Sequence, residues 1–319
     1  MKTRVQKPRV LVSACLLGRR LRYDGAHARD PYVKNVLGRH VEWVPICPET
    51  ECGMPVPREP LRLRGAADSP RMVTVETNKD RTESIRRWAE KRLRELEEAG
   101  LCGFVFKSRS PSCGISGVKV LGLSGAPPRA CGTGIFARAA QNRFPLLPAA
   151  DEESLKDPAL REAFIERMFA AMRWRDFLAA GPTLNGLKEF HAAHELLILA
   201  HDPEKAAAMD RLLRGAGRMN RLTLLQRYGA SFMAALSALP TAQKNARALK
   251  ETLRRLSPSV GGQGADHILS VIEDYRKGRV PFLVPLALLR HYIERGDCSC
   301  PGSRFFLNPY PHQLGLRAR

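Results

Sequence analysis

The hydrophobic and polar positions follow different patterns in the two halves of the chain. In the first half, short apolar runs at residues 9–14, 41–46 and 103–106 are separated by polar, glycine- and proline-rich loops, which predicts three strands. Apolar positions recur at helical spacing over 78–99, and Gly100 is a natural stop. Strand, loop, helix and strand at this spacing predict an α/β, Rossmann-like domain with a parallel sheet and crossover helices.

The second half has a helical pattern throughout. Residues 145–157 are rich in Pro, Ala and acidic side chains and are predicted to form a linker. The chain is therefore predicted to divide into an α/β domain at 1–148 and an all-α domain at 149–319. Helices are expected over 160–178, 183–201, 203–216, 220–239, 242–256, 265–277 and 285–295.

Three thiols come at the ends of the three predicted strands: Cys15, Cys47 and Cys113. In open α/β sheets, ligands bind beyond the carboxyl ends of the strands. Three thiolates without a fourth suit an iron–sulfur cluster with one open iron, or a zinc ion with an open position. The alternative is that all three are buried thiols that pack behind the strands.

The other five of the eight cysteines add no second set of ligands. Their spacing gives no pair of CxxC knuckles, so a zinc finger is a poor fit, and disulfides are not expected in a cytosolic chain. Cys52, Cys102 and Cys131 are assigned no ligand role. The role of Cys298 and Cys300 is left open.

The charge balance predicts a polyanionic partner. The chain has 52 Lys and Arg against 32 Asp and Glu, a net charge of +20. Nucleic acid is the simplest such partner, although a generally basic proteome would give the same balance. No apolar run reaches the roughly 18 residues of a membrane helix, and no signal-peptide pattern follows the basic N-terminus. We expect a soluble, cytoplasmic protein that does not interact with membranes.

Five motifs in the first half resemble the thiouracil desulfurase (desulfidase) family, over roughly residues 8–145. They are SACLLG at 13–18, RYDG at 22–25, CPE at 47–49, GMPVPR at 53–58 and KSRSPSCG at 107–114. The resemblance implies a [4Fe–4S] cluster held by Cys15, Cys47 and Cys113, whose fourth iron would bind the sulfur leaving a thiocarbonyl. One departure is Leu21, where the family often has a cysteine, and it leaves the three-ligand set intact.

The resemblance also implies roles for other residues of these motifs. The acid/base role falls on Glu49 and the hydroxyl role on Ser110, although Ser110 also suits an ordinary Ser-Pro turn. Ser108 and Ser112 are alternatives for the hydroxyl role. The full set expected to contact the substrate is Arg22, Tyr23, Asp24, Lys107, Ser108, Arg109 and Ser112.

The second half resembles a helical domain of unknown function that is known alone and fused behind desulfurase domains. The fusion implies that sulfur is removed from 4-thiouridine in tRNA. His191 and His194, one helical turn apart, are expected on a polar helix face rather than at a metal site. The candidate phosphate contacts are Arg173, Trp174, Arg175, Arg211, Arg214, Arg218, Arg221 and Arg227.

Taken together, these features predict a cluster-dependent desulfidase that converts 4-thiouridine in tRNA to uridine and sulfide. One alternative is the same chemistry on free thiouracil, with the helical domain serving as a lid or an oligomerisation module. Another is a non-catalytic iron–sulfur sensor or RNA-binding protein. A polynucleotide substrate would explain why a basic domain accompanies a small catalytic pocket.

Overall fold

The computed structural model describes residues 6–122, 129–294 and 301–314. The chain forms two compact units, Met1–Phe164 and Ile165–Arg319. Residues 149–164, which the sequence prediction assigns to the helical domain, lie in the first unit. Cys298 and Cys300 lie outside the described residues.

The first unit is built on a four-stranded parallel sheet, as predicted. Its strands lie in the order β2-β1-β5-β8. The alternation of a parallel sheet with helices, followed by a helical second unit, confirms the predicted fold class. The bounds are β1 at Arg9–Ser13, β2 at Glu42–Ile46, β5 at Leu101–Phe106 and β8 at Ala149–Asp151.

A second sheet was not predicted. It is mixed, with the order β4-β3-β6-β7. β3 pairs antiparallel with β4 and parallel with β6. Its strands are β3 at Leu61–Arg64, β4 at Arg71–Thr74, β6 at Val118–Leu121 and β7 at Arg129–Gly132.

Three helices accompany these sheets: α1 at Pro48–Glu51, α2 at Thr82–Glu95 and α3 at Ile135–Arg143. α2 begins later than predicted because Asn78 adopts a left-handed conformation, with φ 53°, in the turn that follows β4. Gly100 closes the helical region with φ 64°, as expected for a helix stop. The apolar faces of α2 and α3 pack on Leu11, Phe104 and Phe106.

The predicted linker at 145–157 is instead part of the first unit. Ala149–Asp151 is the edge strand β8, which pairs with β5 through Phe104 and Phe106. A helical turn at Ser154–Lys156 follows. The prediction was wrong because a three-residue strand is too short to show a hydrophobic period, and this one forms by pairing with β5.

The second unit consists of helices, and the seven predicted ones are confirmed within a few residues at each end. α4 starts in the first unit and continues into the second. The bounds are α4 at Pro158–Ala179, α5 at Leu184–His201, α6 at Pro203–Arg214, α7 at Arg221–Ala235, α8 at Ala242–Val260, α9 at Gly262–Arg276, α10 at Leu283–Glu294 and α11 at Arg304–Leu307.

The two histidines of α5 lie inside this unit rather than on a polar face, which corrects the prediction. His191 hydrogen-bonds the Tyr228 hydroxyl at 3.1 Å and the Asp210 carboxylate at 2.8 Å. His194 donates from Nδ1 to the Phe190 carbonyl and accepts from Arg173 Nε at 2.9 Å. Two histidines at i and i+3 can therefore be core residues where each ring nitrogen has a fixed partner.

The first three candidate phosphate contacts are also engaged inside this unit. Arg173 donates to His194 and to the Pro309 carbonyl, and Phe305 lies against its guanidinium. Trp174 is buried among aromatic rings, and Arg175 pairs with Asp176. Arg173 and Trp174 thus pack between elements of this unit, and Arg175 is paired within its own helix. None of the helices in the described ranges is long and apolar enough to cross a membrane.

Candidate functional site

The register of the parallel sheet brings the ends of its strands together. Ser13 at the end of β1 lies opposite Ile46 at the end of β2, and Val12 lies opposite Val105 of β5. Cys47 directly follows β2, and Cys15 lies in the helical turn Ala14–Leu17 after β1. The third thiol, Cys113, lies in the loop that follows β5. The three thiols thus meet at one edge of the sheet, as predicted.

All three cysteines line a single cavity of about 370 Å³, a volume suited to one small planar ring. The predicted substrate contacts Arg22, Tyr23, Lys107, Ser108 and Arg109 share its wall with Glu49 and Ser110. Asp24 and Ser112 are not part of that wall. The other lining residues are Ser13, Ala14, Leu21, Ile46, Pro48, Arg58, Pro60, Leu61 and Pro111.

The thiols of this cavity repel one another's charge. Burial above all, and then the neighbouring Cys47 and Glu49 charges, raise the pKa of Cys15 to about 11. Burial, the Glu49 charge and then the other two thiols hold the pKa of Cys113 well above its usual range, although a hydrogen bond with Ser13 opposes them. Without a cation the set is protonated, so a metal centre would bind here by displacing protons.

Glu49 is the carboxylate nearest the thiols. One oxygen accepts from the Ser112 hydroxyl at 2.8 Å, and the other accepts from the Cys47 thiol at 3.5 Å. The Arg58 guanidinium lies 4.0 Å from that second oxygen. Glu49 is therefore held in a fixed orientation at the cavity, as an acid/base group requires. Ser112, which does not line the cavity, orients Glu49 through this hydrogen bond.

The loop after β5 is clamped by a residue from beyond β8. Glu152 accepts from the Ser108 backbone N–H at 2.8 Å and hydroxyl at 2.7 Å, and it forms an ion pair with Lys107. Burial opposes the charge of Glu152, but the hydrogen bonds from Lys107 and Ser108 outweigh it and lower the pKa of the carboxyl. The side chains of Lys107 and Ser108 are thus fixed by Glu152 at the cavity edge.

Ser110 combines a structural and a free hydrogen-bonding capacity. Its oxygen accepts from the backbone N–H groups of Ser112 at 3.3 Å and Cys113 at 3.1 Å, as in an ordinary Ser-Pro turn. No acceptor for its own O–H occurs among the residues that the structure describes. That proton can be donated to a molecule in the cavity.

The remaining predicted contacts differ in how far their side chains are available. Arg22 pairs with Asp24 at 3.5 Å and lies over the Tyr23 ring. Asp24 accepts from the Ala26 backbone N–H, which lowers the pKa of the carboxyl and closes a turn. Tyr23 is exposed, and so is Arg109, whose backbone is left-handed with φ 58°.

Helix α3 supports the cysteine loop from behind. The backbone N–H groups of Ile135 and Ala137 donate to the carbonyls of Pro111 and Ser112. At Gly134, a Cβ would lie 2.4 Å from the Ser112 oxygen and 2.8 Å from the Cys113 nitrogen. Only glycine allows this approach, which gives Gly134 a packing role in the Gly-Thr-Gly stretch at 132–134.

Sequence reasoning missed three residues of the site: Ser13, Arg58 and Glu152. Ser13 accepts from the Lys107 backbone N–H at 2.9 Å and hydrogen-bonds Cys113. Arg58 ends the GMPVPR motif, so the motif itself was a signal that it faces the site. Glu152 had no such signal, because its partners Lys107 and Ser108 are far away in sequence.

The three thiols are the donor set that an iron–sulfur cluster would need. Within the described ranges, no group of three or more His, Cys, Asp or Glu side chains is arranged to hold one metal ion. A lone ion needs all ligands around one point, whereas each cysteine of a cluster binds a different iron. Cys113 is buried and Cys15 and Cys47 are half-buried, and soft thiols that follow three separate strands suit the cluster as donors.

The chain is similar to several known proteins. A family model described as 2-thiouracil desulfurase matches residues 10–152, and the model of a protein of unknown function, DUF1722, matches residues 195–311. The uncharacterized protein YbbK of Bacillus subtilis (strain 168) is 31% identical over 110 residues, which cover 33% of this chain and 72% of that protein. The uncharacterized protein YbgA of Escherichia coli (strain K12) is 22% identical over 153 residues, 47% of this chain and 90% of that one.

A solved structure is also similar. It is described as the [4Fe-4S]-dependent thiouracil desulfidase TudS and is 30% identical to this chain, with a TM-score of 0.40. The match covers 50% of this chain and 100% of the TudS chain. The chain belongs to the 2-thiouracil desulfurase family through residues 10–152, and the DUF1722 region follows in the sequence.

Proposed function

We propose that this protein is an iron–sulfur-dependent desulfidase that replaces the sulfur of a thiouracil-type thiocarbonyl with oxygen. The observation that carries the proposal is the single cavity lined by Cys15, Cys47, Cys113, Glu49 and Ser110. The reaction balances as thiocarbonyl plus water giving carbonyl plus hydrogen sulfide. The family and the cluster dependence of the solved TudS structure support the same chemistry.

The three cysteines would hold the [4Fe–4S] cluster. When bound with three protein ligands, it supplies a thiophilic Lewis acid at the iron without a cysteine. Glu49, oriented by Ser112, takes a proton from the attacking water and returns one to the departing sulfur. Ser110 donates its free O–H to a ring heteroatom and holds the base in the cavity.

We further propose that the substrate is 4-thiouridine within tRNA. Residues 211–250 contain no Asp or Glu but include six arginines and two lysines. Arg211, Arg214, Arg218, Arg221 and Arg227 follow one another through the end of α6, the connecting turn and α7, and all five are exposed. Along the stretches that the structure describes, none of the five forms an ion pair.

Two arginines of α8 and α9 provide a contrast, whereas Arg247 of α8 resembles the five: it is exposed and forms no ion pair within the described residues. Arg254 pairs with Glu251 and Arg276 with Glu273, so carboxylates already compensate those charges. Unpaired arginines are the ones that gain most from phosphate oxygens. This difference favours α6 and α7 as the phosphate-binding region. The target base would leave its stack to enter the cavity.

Anaerobically reconstituted protein, mixed separately with thiolated tRNA and with free 4-thiouracil, tests the proposal. We expect loss of the near-UV thiouridine absorbance and release of sulfide from the tRNA. Turnover of the free base alone would favour the free-thiouracil alternative, which the size of the cavity also allows. No sulfide from either substrate would reject the desulfidase proposal in favour of a sensor or binding role.

A further inference from the structure

Arg58 is a buried cation in the wall of the cysteine cavity. Only 8% of its side-chain surface is exposed to solvent. Its backbone N–H donates to the Tyr23 carbonyl at 2.8 Å. The other cations of the wall differ from it. Lys107 is paired with Glu152, Arg22 is paired with Asp24, and Arg109 is exposed.

One edge of the Arg58 guanidinium is fully used. Nη1 and Nη2 both donate to the Leu21 carbonyl at 3.1 Å, and Nη1 also donates to the Pro55 carbonyl at 3.4 Å. These contacts fix the plane of the guanidinium, because they come from two carbonyls on separate segments. They account for both N–H groups of Nη1 and one of Nη2.

The opposite edge is free. Nε is buried and has no hydrogen-bond partner within the described part of the chain. The second Nη2 N–H, which lies parallel to Nε–H on the planar guanidinium, has the Glu49 oxygen 4.0 Å away, beyond hydrogen-bonding distance. Two parallel, charge-bearing donors are thus left unsatisfied beside the acid/base carboxylate, which is costly unless a ligand accepts from them.

We infer that this free edge of Arg58 binds the ring carbonyl oxygen that the reaction leaves in place, and so orients the thiocarbonyl toward the three thiols. The inference rests on the proposed function. A carbonyl oxygen has two lone pairs in the ring plane and can accept from both N–H groups, whereas sulfur is a weak acceptor. The edge therefore distinguishes the two ends of a thiouracil ring. Arg58 is a substrate-orienting residue.

The test measures binding rather than turnover. The full-length chain, anaerobically reconstituted, is titrated with uracil and with pyrimidin-4-one, which is uracil without the oxygen at C2. We expect the wild type to bind uracil about tenfold or more tightly, the effect of one or two charge-assisted hydrogen bonds. Arg58→Lys keeps the charge but cannot present two parallel donors, and we expect it to abolish this preference.

Arg19→Lys, an exposed change away from the cavity, is the matched control and should keep the preference. Iron and sulfide content verify that each variant holds its cluster. An undiminished preference in Arg58→Lys overturns the inference. So does a wild type without a preference for uracil, a result that does not depend on how any variant folds.

The outcome is separable from that of the proposed function. If the uracil preference depends on Arg58 but no sulfide is released from thiolated tRNA or 4-thiouracil, the desulfidase proposal fails while the pyrimidine contact stands. If sulfide is released and the preference is independent of Arg58, only the contact fails.

Discussion

At the scale of single residues, the partners of Glu49 and Glu152 separate their roles. Glu49 accepts from Ser112 and Cys47 beside the cavity, whereas Glu152 accepts from Lys107 and Ser108 at the base of the cysteine loop. The first arrangement leaves a carboxylate facing the cavity. The second satisfies a buried carboxylate completely, which is the condition for a structural role.

Ser112→Ala is expected to lower kcat roughly tenfold, because Glu49 loses the hydrogen bond that orients it, while the general base itself is retained. Steady-state sulfide release, compared at equal iron content, measures the effect. Ser69→Ala, an exposed change away from the cavity, is the control. Wild-type kcat in Ser112→Ala would contradict the positioning role.

Glu152→Gln is expected to destabilise the protein by about 2 kcal/mol at pH 7, because a buried network loses its negative charge and one of its two acceptor oxygens. Its pKa is lowered in the folded state, so the stabilisation is present above the ordinary carboxyl value of 4.5 and is lost as the pH falls through the folded value. Denaturant unfolding of wild type and variant should therefore converge in acid. Glu153→Gln, which removes an exposed carboxylate paired with Lys156, should change little.

At the scale of elements, helix α3 and the cysteine loop form one packed piece. The first N–H groups of the helix donate to loop carbonyls, so each satisfies the other's backbone. The loop that carries Cys113 is thereby held on both sides, by α3 and by the Glu152 clamp. Its position does not depend on a bound cluster alone.

Gly134→Ala is expected to destabilise the first unit by about 1–3 kcal/mol and to lower the iron content, because the new Cβ would overlap the backbone of Ser112 and Cys113. Thermal unfolding and iron analysis after reconstitution measure both effects. Gly217→Ala, where a Cβ meets nothing within 4 Å, is the matched control. A variant with normal stability and iron content would show that the loop can move away freely.

The parallel sheet was predictable from the sequence, whereas the second sheet was not. The strands of the parallel sheet are buried apolar runs, which carry their own signal. β3 reads Leu-Arg-Leu-Arg over four residues, and β6 and β7 are equally short, so their pairing depends on distant partners. Motifs identified the thiols and Glu49, but they could not show the Glu152 clamp because it closes only in three dimensions.

At the scale of the whole molecule, the distribution of paired and unpaired charge says more than the net charge of +20. Composition alone could not distinguish Arg173, which is engaged with His194 and Pro309, from the exposed arginines of α6 and α7. The structure distinguishes the two groups, because Arg173 has hydrogen-bond partners within the protein and the exposed arginines form no ion pairs among the described residues. Composition predicted that there is a basic surface, but not where it lies.

The triple change Arg214→Gln, Arg218→Gln and Arg221→Gln is expected to weaken tRNA binding tenfold or more at low salt. The slope of the logarithm of the binding constant against the logarithm of the salt concentration should become shallower by roughly two to three. Turnover of free 4-thiouracil should stay unchanged. Filter binding at several salt concentrations measures both the affinity and the slope. Arg254→Gln with Arg276→Gln, which removes charges already paired with carboxylates, should have a much smaller effect.

The edge strand β8 limits the positions at which another domain can be fused to the first unit. The strand completes the parallel sheet, and Glu152, just after it, secures the loop of Cys113. A gene fusion whose junction preceded this strand would separate the thiol loop from its clamp, even though every recognisable motif would survive. Any recombination that keeps a working first unit must therefore include all residues up to Glu152. The C-terminal boundary of the catalytic unit thus lies beyond its last recognisable motif.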